Sequence, residues 1–248
     1  PPDSQQKALD YLNGKSYQAA LSDKTLSFEI INQINELKAN DLLSQIILKG
    51  TSATDFHLFV QDFMKNNRFR QVNFQTFDHA FSENFGWHLS EIFPKYFDRQ
   101  ELPAFQVKNF RIKRILSPTE EEEDPWTPHT KFRIEFDVLN QSDVDGVITM
   151  HLGTAIYKAG PDRRVDRMLY TPRTFSVKAR EAKKIIFICP HPVVSHSIYT
   201  GLSKNRPNIF DIHDKTITLE KGMESTRDSI AGEESISPAI FFPPANEI

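Results

Sequence analysis

Asp78, His79, Glu83 and His88 stand within one short stretch, "NFQTFDHAFSENFGWHLSEIFPKYFDRQELPAF", residues 73–105. Carboxylates and imidazoles are the groups from which acid–base pairs and metal sites are built, and either use requires them to converge. Zinc hydrolysis on a helix takes two His at i and i+4 with a Glu between them as general base. No H-E-x-x-H occurs in the chain. On a helix whose stripe is Phe74, Phe77, Phe81 and Phe85, Asp78 and His79 point mostly away from the apolar side and Glu83 faces solvent. His88 takes the place of an N-cap for the segment that follows. The spacing predicts the solvated side of a packed helix, with no ligand pair and no acid–base dyad.

The other chemistry-bearing residues give equally little. His191 and His196 in "HPVVSH" are five apart across a Pro, which suits neither a helix face nor a strand face. Only loop geometry would make them ligands, which leaves a hydrolase of unfamiliar type as a distant third reading. Asp143, Asp145 and Gly146 resemble the start of a calcium loop, but Leu152 stands where the bidentate Glu belongs. An Asp-Gly hairpin turn accounts for them better. G-x-S-x-G is absent, Ser203 and Lys204 are adjacent rather than at S-x-x-K spacing, and the nine glycines form no phosphate cradle. Asn140 heads a formal glycosylation sequon, "NQS". Cys189, the single cysteine, lies in the apolar run "KIIFICP", which predicts a buried, inert thiol and excludes an internal disulfide.

These residues sit on a chain of 248 residues with 39% hydrophobic and 25% charged content and a net charge of −3. That is enough for one large domain or two ordinary ones. Basic residues form only short clusters (Arg163, Arg164 and Arg167; Lys178, Arg180, Lys183 and Lys184), so no nucleic-acid partner is expected. No apolar run reaches the ~20 residues of a membrane span, and no signal peptide opens the chain. The abrupt start at "PPDSQQ" and end at "PPANEI" predict a segment of a longer protein.

Residues 1–103 read as a helical subdomain, bundle-like or solenoid-like. Leu26, Ile30, Ile31, Ile34 and Leu37 recur at helical spacing. "DLLSQIILKG" reads as a separate short helix stopped by Gly50. Ser52 and Asp55 form an S-x-x-D capping box for a helix whose apolar face is Phe56, Phe59, Val60, Phe63 and Met64. Gly86 ends the Phe74–Phe85 helix, and Ser90 caps the next, in which Pro94 is tolerated near the start. Eleven of the 20 Phe lie between 56 and 105, so this half has an aromatic core.

The pattern changes at Pro103. "KFRIEFDVLN" alternates, with Phe132, Ile134, Phe136 and Val138 on one face and Lys131, Arg133, Glu135 and Asp137 on the other, which predicts a half-buried strand. "VITMHLGTAIY", the "TFSVKAREAKKIIFIC" hairpin, "FQVKNFRIKRIL" and "KTITLE" add further strands. Residues 104–220 are therefore expected to form an antiparallel β-sandwich, making the chain an α+β multidomain protein. "SPTEEEEDPWTPHT" reads as an acidic surface loop, and residues 221–248 as an extended tail.

The order of these elements resembles the end of the catalytic region of the aminopeptidase N family of gluzincin zinc metallopeptidases. The residues that carry the likeness are Arg68-Phe69, Thr76-Phe77, Gly86, Leu89-Ser90, Ile92-Phe93, Phe97 and Leu102-Pro103, followed by "VLNQSDVDGVI". "YTGLSKNRPNIF" and the C-terminal half look like bacterial membrane proteins that join an ABC-type permease to a peptidase-like region. The resemblance covers roughly 40–220. It implies an immunoglobulin-like sandwich from Phe105 onward and a membrane-anchored bacterial parent. It also implies a parental zinc site whose ligands lie upstream, beside a peptide-binding cavity. Tyr11 and Tyr17 lack the pattern that surrounds the family's catalytic Tyr. No catalytic, metal or cofactor residue maps onto this chain. Phe77, Gly86, Trp87, Ser90, Phe93, Pro103, Ser203, Asn205 and Pro207 would serve as structural or interdomain positions. The expected partner is the missing upstream catalytic subdomain. The rival expectation is a self-contained interaction module that binds protein or glycan through sandwich loops such as 117–130 or 190–208.

Overall fold

The computed structural model describes residues 2–116, 131–157, 165–206, 208–211, 217–221 and 232–241. The acidic loop 117–130, Arg163, Arg164 and Pro207 lie outside the described residues. The chain divides into two compact units, Pro1–Leu102 and Pro103–Ile248. The first is helical and the second is built of β-strands, an α+β architecture.

The helical unit contains α1 (Pro2–Leu12), α2 (Tyr17–Ser22), α3 (Phe28–Leu48), α4 (Ala53–Asn66), α5 (Phe74–Phe85) and α6 (Phe93–Asp98), with a 3₁₀ turn at Leu89–Glu91. The starts follow side-chain chemistry. Ser16, Ser27, Ser52 and Asn73 each accept a backbone N–H three residues on, supplying partners that the first turn of a helix lacks. The two helices expected between Leu26 and Gly50 are one: α3 runs unbroken for 21 residues through the polar Lys38–Asp41 segment. It stops where expected. Gly50 takes φ +96°, its N–H donates to Ile47 O, and the Thr51 N–H donates to Ile46 O, the crossed bonds of a Schellman end. Gly86 closes α5 in the left-handed region at φ +77°.

The core of this unit is aromatic. Phe59, Phe63 and Phe81 are buried, with Phe77, Phe85 and Trp87 packed against them. Ring centroids lie 4.9 Å apart for Phe63–Phe77 and 5.7 Å for Phe59–Phe81, both edge-to-face, the arrangement that ring quadrupoles favour. Met64, expected on the same face, is instead 67% exposed. The α5 rings cover Phe59 and Phe63, and the apolar stripe ends there.

The second unit holds two sheets. One has the order β8 (Ile217–Lys221), β1 (Phe105–Leu116), β2 (Lys131–Asn140), β5 (Ala182–Cys189), β9 (Gly232–Ser235). The other has the order β4 (Val165–Val177), β3 (Gly146–Tyr157), β6 (Val193–Tyr199), β7 (Ile209–Asp211). Both sheets contribute to a single apolar core, in which Phe136 of β2 meets Phe175 of β4 edge-to-face at 6.2 Å. Among the described residues the strand pairs are antiparallel except β1–β8, which is parallel, a departure from the fully antiparallel arrangement expected. Pro172 falls on β4, an edge strand of its sheet, where a residue without an N–H costs no ladder bond.

Two further expectations are corrected. β2 is not half-solvated: Glu135 and Asp137 are 7% and 4% exposed. It is a central strand, flanked by β1 and β5, and Glu135 sits among Arg111, Lys113 and Arg133 at 3.4–4.0 Å. The region read as an extended tail carries β9, paired with β5, and a 3₁₀ turn at Pro238–Phe241. Phe241 is buried against Leu139 and Ala182. That contact covers Leu139 on the second face of β2, where Asp137 also accepts a bond from the Asn109 amide at 2.7 Å.

Candidate functional site

Asp78 leaves the solvated face assigned to it. It is 8% exposed and gathers the residues after α5. His88 Nδ1 lies 3.1 Å from Oδ2, the Ser90 hydroxyl donates to Oδ2 at 2.9 Å, and the Ser90 N–H donates to Oδ1 at 3.2 Å. Burial alone would raise the Asp78 pKa, but the Ser90 hydroxyl and N–H, His88 and the Leu89 N–H outweigh it and hold the carboxyl below the usual range. Ser90 is therefore not the expected cap. The residue at the head of the 3₁₀ turn is His88, whose N–H donates to Glu91 Oε1 at 3.2 Å. Ser, Asp and His do meet here, but in the wrong order for nucleophilic catalysis. The carboxylate stands between the hydroxyl and the imidazole, so the imidazole cannot take the hydroxyl proton. The cluster ties α5 to the turn that follows it. His79 and Glu83 lie 3.8 Å apart with both side chains largely in solvent.

Lys38 is a second polar centre, one that composition and spacing did not flag. It is 2% exposed in the middle of α3. Its ammonium donates to the Tyr96 carbonyl at 2.5 Å, and the Tyr96 hydroxyl donates back to the Lys38 carbonyl at 2.6 Å. The charge lies 3.8 Å from the Tyr96 ring centroid and 5.4 Å from that of Tyr17. Burial lowers the ammonium pKa to about 8, against the pull of Asp41. Burial raises the Tyr96 hydroxyl far above its usual value. The reciprocal pair fastens α3 to α6.

In the β unit the network centres on Asn140, fully buried. Its Nδ2 donates to the carbonyls of Val144, Val177 and Lys178. Its Oδ1 accepts from the Ser142 N–H and hydroxyl. This fixes the turn before β3, where Arg180 grips Asp143 through two bonds of 2.7 and 3.0 Å and Asp145 accepts the Ala179 N–H. β2 and β3 lie in different sheets, so the Asp143–Gly146 segment crosses between sheets and is not the hairpin turn expected. The Lys178–Glu181 turn likewise joins β4 to β5 across the two sheets, and "TFSVKAREAKKIIFIC" is not a hairpin. The sequon Asn140 is held by its own hydrogen bonds.

The structural positions expected from the sequence are distributed as follows. Phe77 and Trp87 are in the aromatic core, and the Trp87 ring is 4.8 Å from that of Phe81. Phe93 stacks on Phe74 at 4.5 Å. The Pro103 carbonyl accepts the Lys204 N–H at 2.7 Å, and Pro103 packs so close to Gly146 that a Cβ there would stand 2.6 Å from its own. Ser203 is fully buried and donates to Thr200 Oγ1. Asn205 imitates a strand partner: its amide accepts the Phe105 N–H at 2.9 Å and donates to the Phe105 carbonyl at 2.7 Å. His191 and His196 do not converge with further ligands, and the His196 ring stacks on Phe110 at 4.7 Å. Burial raises the Cys189 thiol pKa, and the thiol donates to the His191 carbonyl. Among the described residues no group of three or more His, Cys, Asp or Glu is placed to hold a metal ion. The zinc implied by the resemblance therefore has no fitting ligand set among them. Among the described residues no helix is long and apolar enough to cross a membrane.

No protein-family model and no curated protein matches the sequence. Among solved structures, the chain has a partial likeness to a Listeria innocua β-glucosidase in complex with glucose, at 14% identity and TM-score 0.24. It covers 47% of this chain and 17% of that one. A β-glucosidase from Erythrobacter marinus gives 12% identity and TM-score 0.24, with 48% and 16% covered. DesR, a β-glucosidase from Streptomyces venezuelae, gives 11% and 0.24, with 53% and 18% covered. The chain thus spans less than a fifth of the length of these proteins. Superpositions this loose carry no argument about fold or activity.

Proposed function

We propose that the chain is a non-catalytic accessory region of a peptidase-like protein. Its helical unit walls a peptide cavity, and its β unit is an immunoglobulin-like sandwich that serves as a docking platform. In this reading zinc belongs to an upstream subdomain of a membrane-anchored bacterial parent. The supporting observation is what the helical unit leaves in solvent. Phe28 is 78% exposed and Leu21, Leu48 and Leu58 are 38–52% exposed, although the same unit buries an extensive aromatic core. Large apolar side chains held out of a well-filled core suit a surface that another protein body covers. The polar groups of both units agree with a scaffold, because Asp78, Lys38, Asn140 and Asn205 are spent on internal hydrogen bonds. The two sheets around one core support the sandwich reading.

The test is dye binding and sedimentation of the chain by itself. An anilinonaphthalene sulfonate dye should bind the wild type, and Phe28→Ser should reduce both dye fluorescence and any self-association. Unchanged dye binding in Phe28→Ser would count against a docking face there. A second reading, an interaction module working through the sandwich, draws on Tyr170 and Met168, which are 72% and 43% exposed on edge strand β4. They share one face at strand period. Dye binding that responds to Tyr170→Ser and not to Phe28→Ser would favour it.

A further inference from the structure

The chain from Met64 to Thr76 combines three properties. It is exposed almost throughout. Between Asp62 and Asp78 it contains no carboxylate but three cations, Lys65, Arg68 and Arg70, in a protein whose net charge is −3. It also holds apolar side chains in solvent: Phe69 is 95% exposed, Met64 67% and Val72 42%. No salt bridge among the described residues engages the three cations, and the Arg68 guanidinium instead rests 5.3 Å from the Phe69 ring.

The backbone makes this display more than a frayed loop. The Arg70 N–H donates to the Asn67 carbonyl at 3.0 Å, closing a turn at the end of α4, and the Asn67 amide donates to the Phe63 carbonyl. Phe69 occupies the third position of that turn at φ +66°, a left-handed conformation that strongly favours Gly or Asn over a bulky residue. A phenylalanine held there at a conformational cost, with its ring in water, is not accounted for by folding stability.

We propose that the Met64–Phe74 turn is a binding element for anionic lipid surfaces. The Phe69 ring enters the headgroup–acyl boundary with Met64 and Val72 beside it, while Lys65, Arg68 and Arg70 meet lipid phosphates. The form of the element selects this occupant. Interfacial insertion needs only a convex apolar tip about 5–10 Å deep with cations at its base, whereas a stable protein interface needs roughly 1,000 Å² of buried surface, more than one protruding turn supplies. A single exposed ring offers no stacking platform for successive bases. The inference does not depend on the peptidase-like reading, because it uses none of the exposed residues, Phe28, Leu21, Leu48 and Leu58, on which that docking face rests.

The test is co-sedimentation of the full chain with vesicles of phosphatidylcholine alone and with about a third phosphatidylglycerol. Binding is expected only to the anionic vesicles. It should weaken sharply when salt rises from about 0.15 M to about 1 M, where the screening length falls to ~3 Å. Arg68→Gln with Arg70→Gln should weaken it about 25-fold, at ~5-fold per cation near the surface. Phe69→Gly should weaken it at least about tenfold. It should also raise the melting temperature, because glycine suits φ +66°, and that rise shows that the loss does not come from misfolding. Equal binding to neutral vesicles, no binding to either, or binding indifferent to these substitutions would each overturn the proposal. Binding of the chain to polyglutamate but not to anionic vesicles, with the same dependence on Phe69 and the arginines, would overturn it in favour of an acidic protein surface.

Discussion

Replacing Lys38 by Met should erase a pH dependence that the wild-type helical unit carries. The Lys38 ammonium is buried in α3, and its pKa falls from 10.5 to about 8, chiefly through desolvation. A cation whose pKa is depressed on folding is disfavoured by the fold while charged. The penalty is present below the folded pKa and fades as pH rises from there toward the unfolded value. With these two pKa values, wild-type stability relative to Lys38→Met should rise by about 2.5 kcal/mol between about pH 7 and 10. The neighbours respond as well. The raised hydroxyl pKa of Tyr96 contributes stability that is lost above about pH 10 as the unfolded phenol ionises. The Tyr17 hydroxyl is raised too, and Asp41 and Arg99 face the ammonium. Taking the difference between variant and wild type cancels most of these contributions. The assay is urea unfolding at a series of pH values, followed by far-ultraviolet circular dichroism at the helical minimum, because the six α-helices among the described residues lie in the first unit. Opposing the desolvation are the bond to the Tyr96 carbonyl and the 3.8 Å approach to its ring, both of which favour the charged form. A wild-type-minus-variant difference that stays flat from pH 7 to 10 would show that these contacts win, and would refute the reasoning.

Three further outcomes follow from the same contacts. Asp78→Asn should cost about 1–3 kcal/mol at neutral pH by weakening charge-assisted bonds. Because the Asp78 pKa is lowered in the fold, the wild-type advantage should be present above the ordinary carboxylate pKa and disappear as acid protonates the folded carboxyl, as read by unfolding titrations at neutral and acidic pH. Gly146→Ala should destabilise the β unit, measured by its melting temperature, because the added Cβ would lie 2.3 Å from Phe105 Cζ and 2.6 Å from Pro103 Cβ. Cys189 should react with a thiol reagent only at the rate of unfolding, since it is buried and its thiol pKa is raised.

Local chemistry was legible in the sequence where the determining groups lie within one turn of each other. The Ser52–Asp55 cap and the Gly50 and Gly86 helix ends stand where their residues predict, whereas the Asp143–Gly146 segment passes between two sheets, which a local Asp-Gly signal does not distinguish from a hairpin. What the sequence hid was tertiary. The polar Lys38–Asp41 segment interrupts the apolar pattern of α3, and the groups that take up Lys38 there, the Tyr96 carbonyl, hydroxyl and ring, are distant in sequence. Asp78 looked solvated because the hydroxyl and N–H that satisfy it, from Ser90, arrive from the next turn. Glu135 and Asp137 alternate as if exposed because their partners, Arg111 and Lys113 for Glu135 and Asn109 for Asp137, come from the neighbouring strand β1. The parallel β1–β8 pair has no local signature, since a strand's own pattern does not state its neighbour's direction. Met64 was grouped with a buried stripe by spacing alone, and spacing does not say where a covering helix ends.

On the proposed reading this chain contributes surface rather than reaction chemistry. The most direct measurement is hydrolysis of a mixed peptide library by the purified chain, with added zinc and with a chelator. The account predicts no turnover above background in either condition. Turnover that depends on the chain and is abolished by the chelator would contradict it.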